Sequence, residues 1–313
     1  MSVLLVATGG TIASRQTDSG VTVVLDGPTL LERAGIAGGV DVLEAGRGPS
    51  WSFDPASVEA LARTVVAEAA SGKHEGVVVT HGTDTIDETA FLTWLLGGAA
   101  ASAESAPIVF TGAMRNDSLA DPDGPENLRT AVGLAVAGPA AGPVLALGGA
   151  IHHARWATKT DTSALDSFHS PGAPDDRATT AAPPPHGDAI EHGVAQIQSY
   201  TGVDGGLVDW HLERGARGIV IEGTGAGNIE GDLVDGVGRA LAAGIPVVVT
   251  SRCWTGAVAP VYGGRGGGWT ITEMGVIGGG DLPTHKARLA LAVALGADPE
   301  PGAVRRWFEA LLS

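Results

Sequence analysis

Short runs of Val, Ile and Leu alternate along this chain with segments whose apolar residues recur at helical spacing. That alternation points to a largely parallel sheet with helices on both faces. Residues 3–7, 76–80, 107–111 and 144–147 are expected to form the first set of strands. Asp54 and Pro55 suit the N-cap and first turn of a helix with the apolar stripe Val58, Leu61, Ala62, Val65 and Val66, ending near Gly72. Thr85 and Glu88 have capping-box spacing and open a helix through Phe91, Leu92, Leu95 and Leu96 that stops at Gly97 and Gly98. The residues just before Thr85 are therefore expected at the carboxyl end of a strand. Residues 172–193 combine Pro183, Pro184 and Pro185 with mixed charges and no apolar period, which reads as an interdomain linker. Beyond it, strands at 218–222 and 246–251 flank a helix around 233–241, and helices near 284–295 and 303–312 close the chain. The expected organisation is a larger N-terminal α/β domain over 1–177, a linker over 178–195 and a smaller α/β domain over 196–313.

Charge narrows the partners. The formal net charge is −16, from 35 acidic against 19 basic residues, so nucleic acid and anionic membrane are repelled rather than recruited. A single cysteine, Cys253, forms no internal disulfide, and the opening Met-Ser-Val-Leu-Leu-Val-Ala-Thr lacks a basic segment and a cleavage signal. A cytoplasmic location is expected. No apolar run reaches the roughly 18 to 20 residues that a membrane helix needs.

Two similar constellations follow strands: Thr-Gly-Gly-Thr at 8–11 and Thr-His-Gly-Thr-Asp-Thr at 80–85. In open parallel sheets ligands bind outside the strand carboxyl ends, where Thr11, Thr83 and Asp84 would sit. The adjacent glycines let backbone N–H groups approach a ligand or a developing oxyanion. Equally, Gly-Gly and His-Gly make turns and threonines cap helices. Phosphate binding loses ground, because the chain has no G-x-G-x-x-G and none of its three lysines stands in a P-loop setting. A nucleophile elbow, H-E-x-x-H and C-x-x-C are absent too, and His152 and His153 are adjacent and point apart on regular structure. No metal or cofactor is expected, and His81 reads as a hydrogen-bonded structural histidine.

Ala-Thr-Gly-Gly-Thr-Ile-Ala at 7–13 and Thr-His-Gly-Thr-Asp-Thr at 80–85 resemble the two signatures of the bacterial-type L-asparaginase and glutaminase-asparaginase family. Thr-Gly-Ala-Met-Arg at 111–115, Asp-Gly-Pro-Glu-Asn-Leu at 123–128 and Thr-Lys-Thr-Asp-Thr at 158–162 resemble it in the same order. The resemblance implies a flavodoxin-like parallel-sheet N-terminal domain and a Rossmann-like C-terminal one. It implies Thr11 as nucleophile of an amide hydrolysis and Thr83, Asp84 and Lys159 as a hydroxyl-carboxylate-amine cluster. The chain uses 16 arginines and only three lysines, so a lysine inside Thr-Lys-Thr stands out, arginine being unable to give up its proton. Asp84 would take the substrate's α-ammonium and Ser50 its α-carboxylate, with Ser52 a competing alignment. Gly10, Gly82 and Ala113 would line the substrate, backbone N–H groups near Ala113 and Thr83 serving as oxyanion donors. Asn228 matches a residue lent by a neighbouring subunit, although an Asn at a glycine-rich turn reads equally well as structural. The implied assembly is a homodimer or homotetramer with sites at subunit interfaces.

Two departures bear on catalysis. Family members carry a tyrosine on the loop after the first signature, whereas residues 15–25 contain none, and the supporting glutamate is missing from the acid-free segment 257–268. The loop 12–24 is expected to be free to close over the substrate, with water, Thr22, or Lys159 through Thr83 taking the nucleophile's proton. The expected reaction is hydrolysis of L-asparagine to L-aspartate and ammonia. The rivals are a relaxed glutaminase-asparaginase or an amidase for another asparagine-like amide, and a binding protein that keeps the pocket without the reaction.

Overall fold

A computed structural model describes residues 2–97, 105–138, 142–171, 173 and 189–313. The chain divides into two compact units, Met1–Ala182 and Pro183–Ser313.

The first unit is built on a six-stranded sheet. Its elements run β1 (Ser2–Gly9), a 3-10 turn (Thr11–Ala13), β2 (Ser14–Thr17), β3 (Gly20–Val23), α1 (Gly27–Arg33), β4 (Val40–Gly48), a second 3-10 turn (Ser50–Ser52), α2 (Pro55–Ala70) and β5 (His74–Thr80). They continue with α3 (Ile86–Gly97), β6 (Ile108–Thr111), α4 (Gly124–Ala137), β7 (Val144–Leu147), β8 (Ala150–His153), β9 (Thr158–Lys159) and β10 (Phe168–His169). The sheet order is β4-β1-β5-β6-β7-β8, parallel except for the last pair. β1 lies between β4 and β5 and is buried from Val3 to Gly9, which is why its apolar run is continuous and not alternating. Leu5, Val78, Val109, Leu128, Ala131 and Val144 join one core, a fully buried Leu or Val side chain contributing about 1.5–3 kcal/mol.

Local sequence explains most boundaries. Asp54 caps α2, its carboxylate accepting from the Ser57 amide at 2.7 Å. The capping box expected at Thr85 takes another form: the Thr85 hydroxyl donates to the Ser50 carbonyl at 3.3 Å, while Asp87 accepts from the Glu88 amide at 3.1 Å. α3 ends at Gly97, and Gly98 lies outside the described residues. β4 and the β2–β3 hairpin were not expected. β4 is an edge strand carrying Glu44, Gly46, Arg47 and Gly48, so it lacks the apolar run by which the buried strands announce themselves.

The second unit holds β11 (Val194–Gln198), α5 (Gly206–Glu213), β12 (Gly218–Gly223), α6 (Leu233–Ala242), β13 (Val247–Ser251), α7 (Gly268–Glu273), β14 (Ile277–Gly278), α8 (Thr284–Ala297) and α9 (Pro301–Leu312). Its sheet, β11-β12-β13-β14, is parallel throughout. The expected linker, 178–195, lies outside the described residues as far as 188. Its last two residues, Val194 and Ala195, already pair with Gly218 and Ile219, so order begins before 196. Among the described residues no helix is long and apolar enough to cross a membrane.

Candidate active site

Three strand ends, those of β1, β5 and β6, carry the site. The Thr8 hydroxyl donates to the Thr80 carbonyl at 2.8 Å and ties β1 to β5 where both give way to turns. Gly10 has φ 80° and ψ −175°, a conformation open essentially to glycine alone. A Cβ there would stand 2.5 Å from both the nitrogen and the Cα of Gly82. A Cβ on Gly82 would stand 2.6 Å from the Ser50 Oγ. The two signature turns and the Ser50 turn are therefore stacked backbone to backbone, and side chains smaller than alanine are what allow it.

Thr83, Asp84 and Lys159 come together as expected in space. Lys159 Nζ donates to Thr83 Oγ1 at 2.8 Å and to Asp84 Oδ1 at 2.7 Å, across 76 and 75 residues of sequence. Its side chain is 18% exposed and that of Asp84 48%. The Lys159 backbone amide donates to the buried Asp87 carboxylate at 3.3 Å, which fixes β9 to the start of α3 and aims the ammonium at the turn.

Ala113 is fully buried and follows Gly112, where a Cβ would meet the His81 carbonyl oxygen at 2.7 Å and Thr83 Cγ2 at 3.2 Å. This turn is held by groups that the sequence motifs contained without revealing their task. The Asp123 carboxylate accepts from the amides of Met114 and Arg115 at 3.0 and 2.9 Å. Asn127 donates to the Gly112 carbonyl at 3.0 Å and accepts from the Gly148 amide at 3.2 Å. The i, i+4 spacing of Asp123 and Asn127 at the start of α4 was the available signal.

The two serines part company. Ser52 donates to the Pro49 carbonyl at 2.7 Å in an exposed turn, whereas the Ser50 hydroxyl is buried against Gly82 and makes no hydrogen bond among the described residues. His81 is wholly buried, and burial pushes its imidazole down to about 4, so it is neutral near pH 7. Its Nδ1 lies 2.9 Å from the Gly82 carbonyl oxygen and its Nε2 3.1 Å from the Thr89 hydroxyl, the structural part expected of it.

Thr11 is half-buried at the start of the first 3-10 turn, directly after Gly10. The loop 12–24, expected to be free, is instead a β-hairpin whose strands pair Ser14 with Val23 and Thr17 with Gly20. The Thr22 hydroxyl is turned into that hairpin, donating to the Thr17 hydroxyl at 3.4 Å. Asn228 belongs to the second unit, where its side-chain oxygen accepts from the Gly268 amide at 2.9 Å and its backbone bridges Thr224. Among the described residues no group of three or more His, Cys, Asp or Glu side chains is arranged to hold a metal ion.

Residues 2–181 match the model of the asparaginase N-terminal domain, and residues 193–308 that of the glutaminase/asparaginase C-terminal domain. The chain is 38% identical to a probable L-asparaginase of Deinococcus radiodurans, over 97% of its own length and 96% of the relative's. It is 31% identical to an L-asparaginase of Bacillus licheniformis, over 95% and 96%. A glutamyl-tRNA(Gln) amidotransferase chain of Methanothermobacter thermautotrophicus is also 31% identical, over 97% of this chain and 74% of that one. Among solved structures, a probable cytoplasmic L-asparaginase of Campylobacter jejuni superposes with a TM-score of 0.82 at 28% identity, covering 99% of each chain.

Proposed function

Since this chain belongs to the asparaginase family through both of its domains, and is an amidohydrolase acting on linear amides, we propose that its own substrate is L-asparagine and its nucleophile Thr11. The observation that carries this reading is the Lys159 ammonium bound at once to the Thr83 hydroxyl and the Asp84 carboxylate, beside the turn that follows Gly10. Such a cluster can relay a proton, the Lys159 ammonium giving one to the leaving nitrogen as it receives one through Thr83, whereas a lone threonine hydroxyl is a poor nucleophile.

In the proposed reaction Thr11 Oγ adds to the side-chain amide carbon, and its proton passes by way of Thr83 and Lys159 to the amide nitrogen. The C–N bond breaks, ammonia leaves, and an aspartyl ester remains on Thr11. Water then attacks the ester, the same groups returning a proton to Thr11 Oγ, and L-aspartate departs. Backbone N–H groups of the Thr83 and Ala113 turns face the developing oxyanion. Asp84 takes the α-ammonium. Ser50 takes the α-carboxylate, and its buried hydroxyl without a partner supports that role, because leaving such a group unmet costs about 1–3 kcal/mol. Direct attack of water would give the same products, and hydroxylamine trapping of an acyl-enzyme distinguishes the two courses.

The test is ammonia release from L-asparagine, D-asparagine and L-glutamine side by side, in the wild type and in Thr11→Val. L-Asparagine is expected to lead, although glutamine's extra methylene is worth only about 1–3 kcal/mol in a pocket. Thr11→Val should lose turnover while still binding aspartate. If it turns over at a near-normal rate, the nucleophile is not Thr11 and the role passes to Thr83. Aspartate binding without ammonia release from any amide would leave the binding-protein reading.

A further inference from the structure

Asp117 belongs to none of the matched motifs, yet it gathers more charge than any other carboxylate described near the site. Its side chain is only 5% exposed. Arg33, in the last turn of α1, clasps it with a two-pronged grip, Nε to Oδ1 at 2.8 Å and a terminal nitrogen to Oδ2 at 2.7 Å. Arg15, on β2, adds Nε and a terminal nitrogen, both 2.6 Å from Oδ2. Burial pushes the Asp117 carboxyl up, but the hydrogen bonds and charges of the two guanidiniums outweigh it and hold the group below the usual carboxylate range. The backbone follows suit: the Asp117 amide donates to the Ser14 carbonyl at 3.0 Å, and the Gln16 amide donates to the Ser118 hydroxyl at 2.9 Å.

These contacts act close to the reacting residue. β2 begins at Ser14, immediately after the Thr11–Ala13 turn, and the Ser14 hydroxyl itself donates to the Gly10 carbonyl at 2.8 Å. The Ala13 carbonyl in turn accepts from the amides of Val24 and Leu25, at 2.9 and 3.0 Å, so both arms of the hairpin bear on the turn. β2 and β3 form a sheet of two strands only, and an isolated hairpin of that size is marginally stable in water. Docking on Asp117 is what can hold it in one place.

We propose that Asp117 is a positioning residue which latches the β2–β3 hairpin, through Arg15 and against Arg33, and so fixes the Thr11 turn for attack. The proposal rests on the reading of Thr11 as nucleophile. In this chain a two-stranded hairpin without a tyrosine stands where a loop free to close was expected, and its contribution is orientation, with no proton transferred.

The experiment compares Asp117→Ala, Arg15→Met and Arg15→Lys with the wild type in two readouts. Amide hydrogen exchange over residues 15–22, without substrate, should rise by about tenfold or more in the first two variants. In the same variants kcat on L-asparagine should fall by about tenfold or more, while aspartate affinity stays within about twofold, since misplacement of a reacting group slows chemistry more than binding. Arg15→Lys should recover most of the loss. Unchanged exchange over 15–22 overturns the latch, and raised exchange with undiminished kcat overturns the positioning role. If Asp117→Ala fails to fold, Arg15→Met decides, because it leaves the Arg33–Asp117 grip in place. A wild type that releases no ammonia from any amide refutes the asparaginase reading, and the exchange measurement still passes judgement on the latch.

Discussion

Lys159 donates to two acceptors of different kinds, and the difference sets what each substitution should do. The bond to Asp84 is an ion pair with a half-exposed carboxylate, whereas the bond to Thr83 orients the hydroxyl of a residue that is 5% exposed. Groups that pass one proton act as a unit. Thr83→Val and Lys159→Met should each lower kcat/KM by roughly a hundredfold or more, and the double variant by about the same amount, since removing either partner already disables the relay. Losses that multiply would show that the two residues act separately. His81 supplies a second expectation at this scale. Its folded-state value, about 4, is depressed from 6.5, so between those values the unfolded chain binds the extra proton. The stability from neutral, buried His81 is fully present above pH 6.5 and is lost as pH falls toward 4, a swing of about 3 kcal/mol. Urea midpoints at pH 7 and pH 4.5 should therefore differ more for the wild type than for His81→Gln. Equal differences would mean that burial does not hold the imidazole neutral.

Among the elements, the turns after β1 and β5 depend on glycine in a way that one pair of variants separates. Gly10→Ala forces a Cβ into the Gly82 backbone 2.5 Å away from a conformation reserved for glycine, whereas Gly20, at φ 99° in the hairpin turn, has nothing within 4 Å of the added carbon. Gly10→Ala should cost about 3 kcal/mol or more and abolish ammonia release; Gly20→Ala should cost about 1–2 kcal/mol, from backbone strain alone, and leave turnover near normal. Comparable stability losses in a urea titration would show that the Gly10–Gly82 contact relaxes. This stacking also explains which parts of the molecule could be read in advance. Buried strands such as β5 and β12 and capped helices such as α2 write their positions in apolar runs and in Asp54-Pro55, and the motif threonines fall where the parallel sheet ends. β4 and the hairpin leave no such mark, since an edge strand and a two-stranded ribbon bury little. No motif or spacing singles out Arg15, Arg33 and Asp117, because their meeting depends on elements 102 and 84 residues apart. The spacing of Thr85 and Glu88 marked the start of α3, although the Thr85 hydroxyl donates to a tertiary acceptor, the Ser50 carbonyl.

At the scale of the whole molecule the open matter is whether one chain suffices. Asn228 holds its own turn through Gly268, so a structural reading of it is satisfied within the second unit, while its resemblance to a residue lent in trans would add a second task. Mixing of variant chains separates the two. We expect Thr11→Val and Asn228→Ala each to be nearly inactive alone. When the two are unfolded together and reassembled, a dimer with one chain of each kind would contain one site lacking both groups and one site lacking neither. With random pairing, half of the dimers are mixed, so about a quarter of the wild-type activity per chain should return if Asn228 acts across an isologous interface. A site completed within each chain would recover nothing, because every chain carries one lesion. Dilution supplies the companion measurement: activity per chain should fall in step with the monomer fraction seen by sedimentation. Full activity in a demonstrated monomer, or an Asn228→Ala variant as active as the wild type, would end the case for a site built from two copies of the chain.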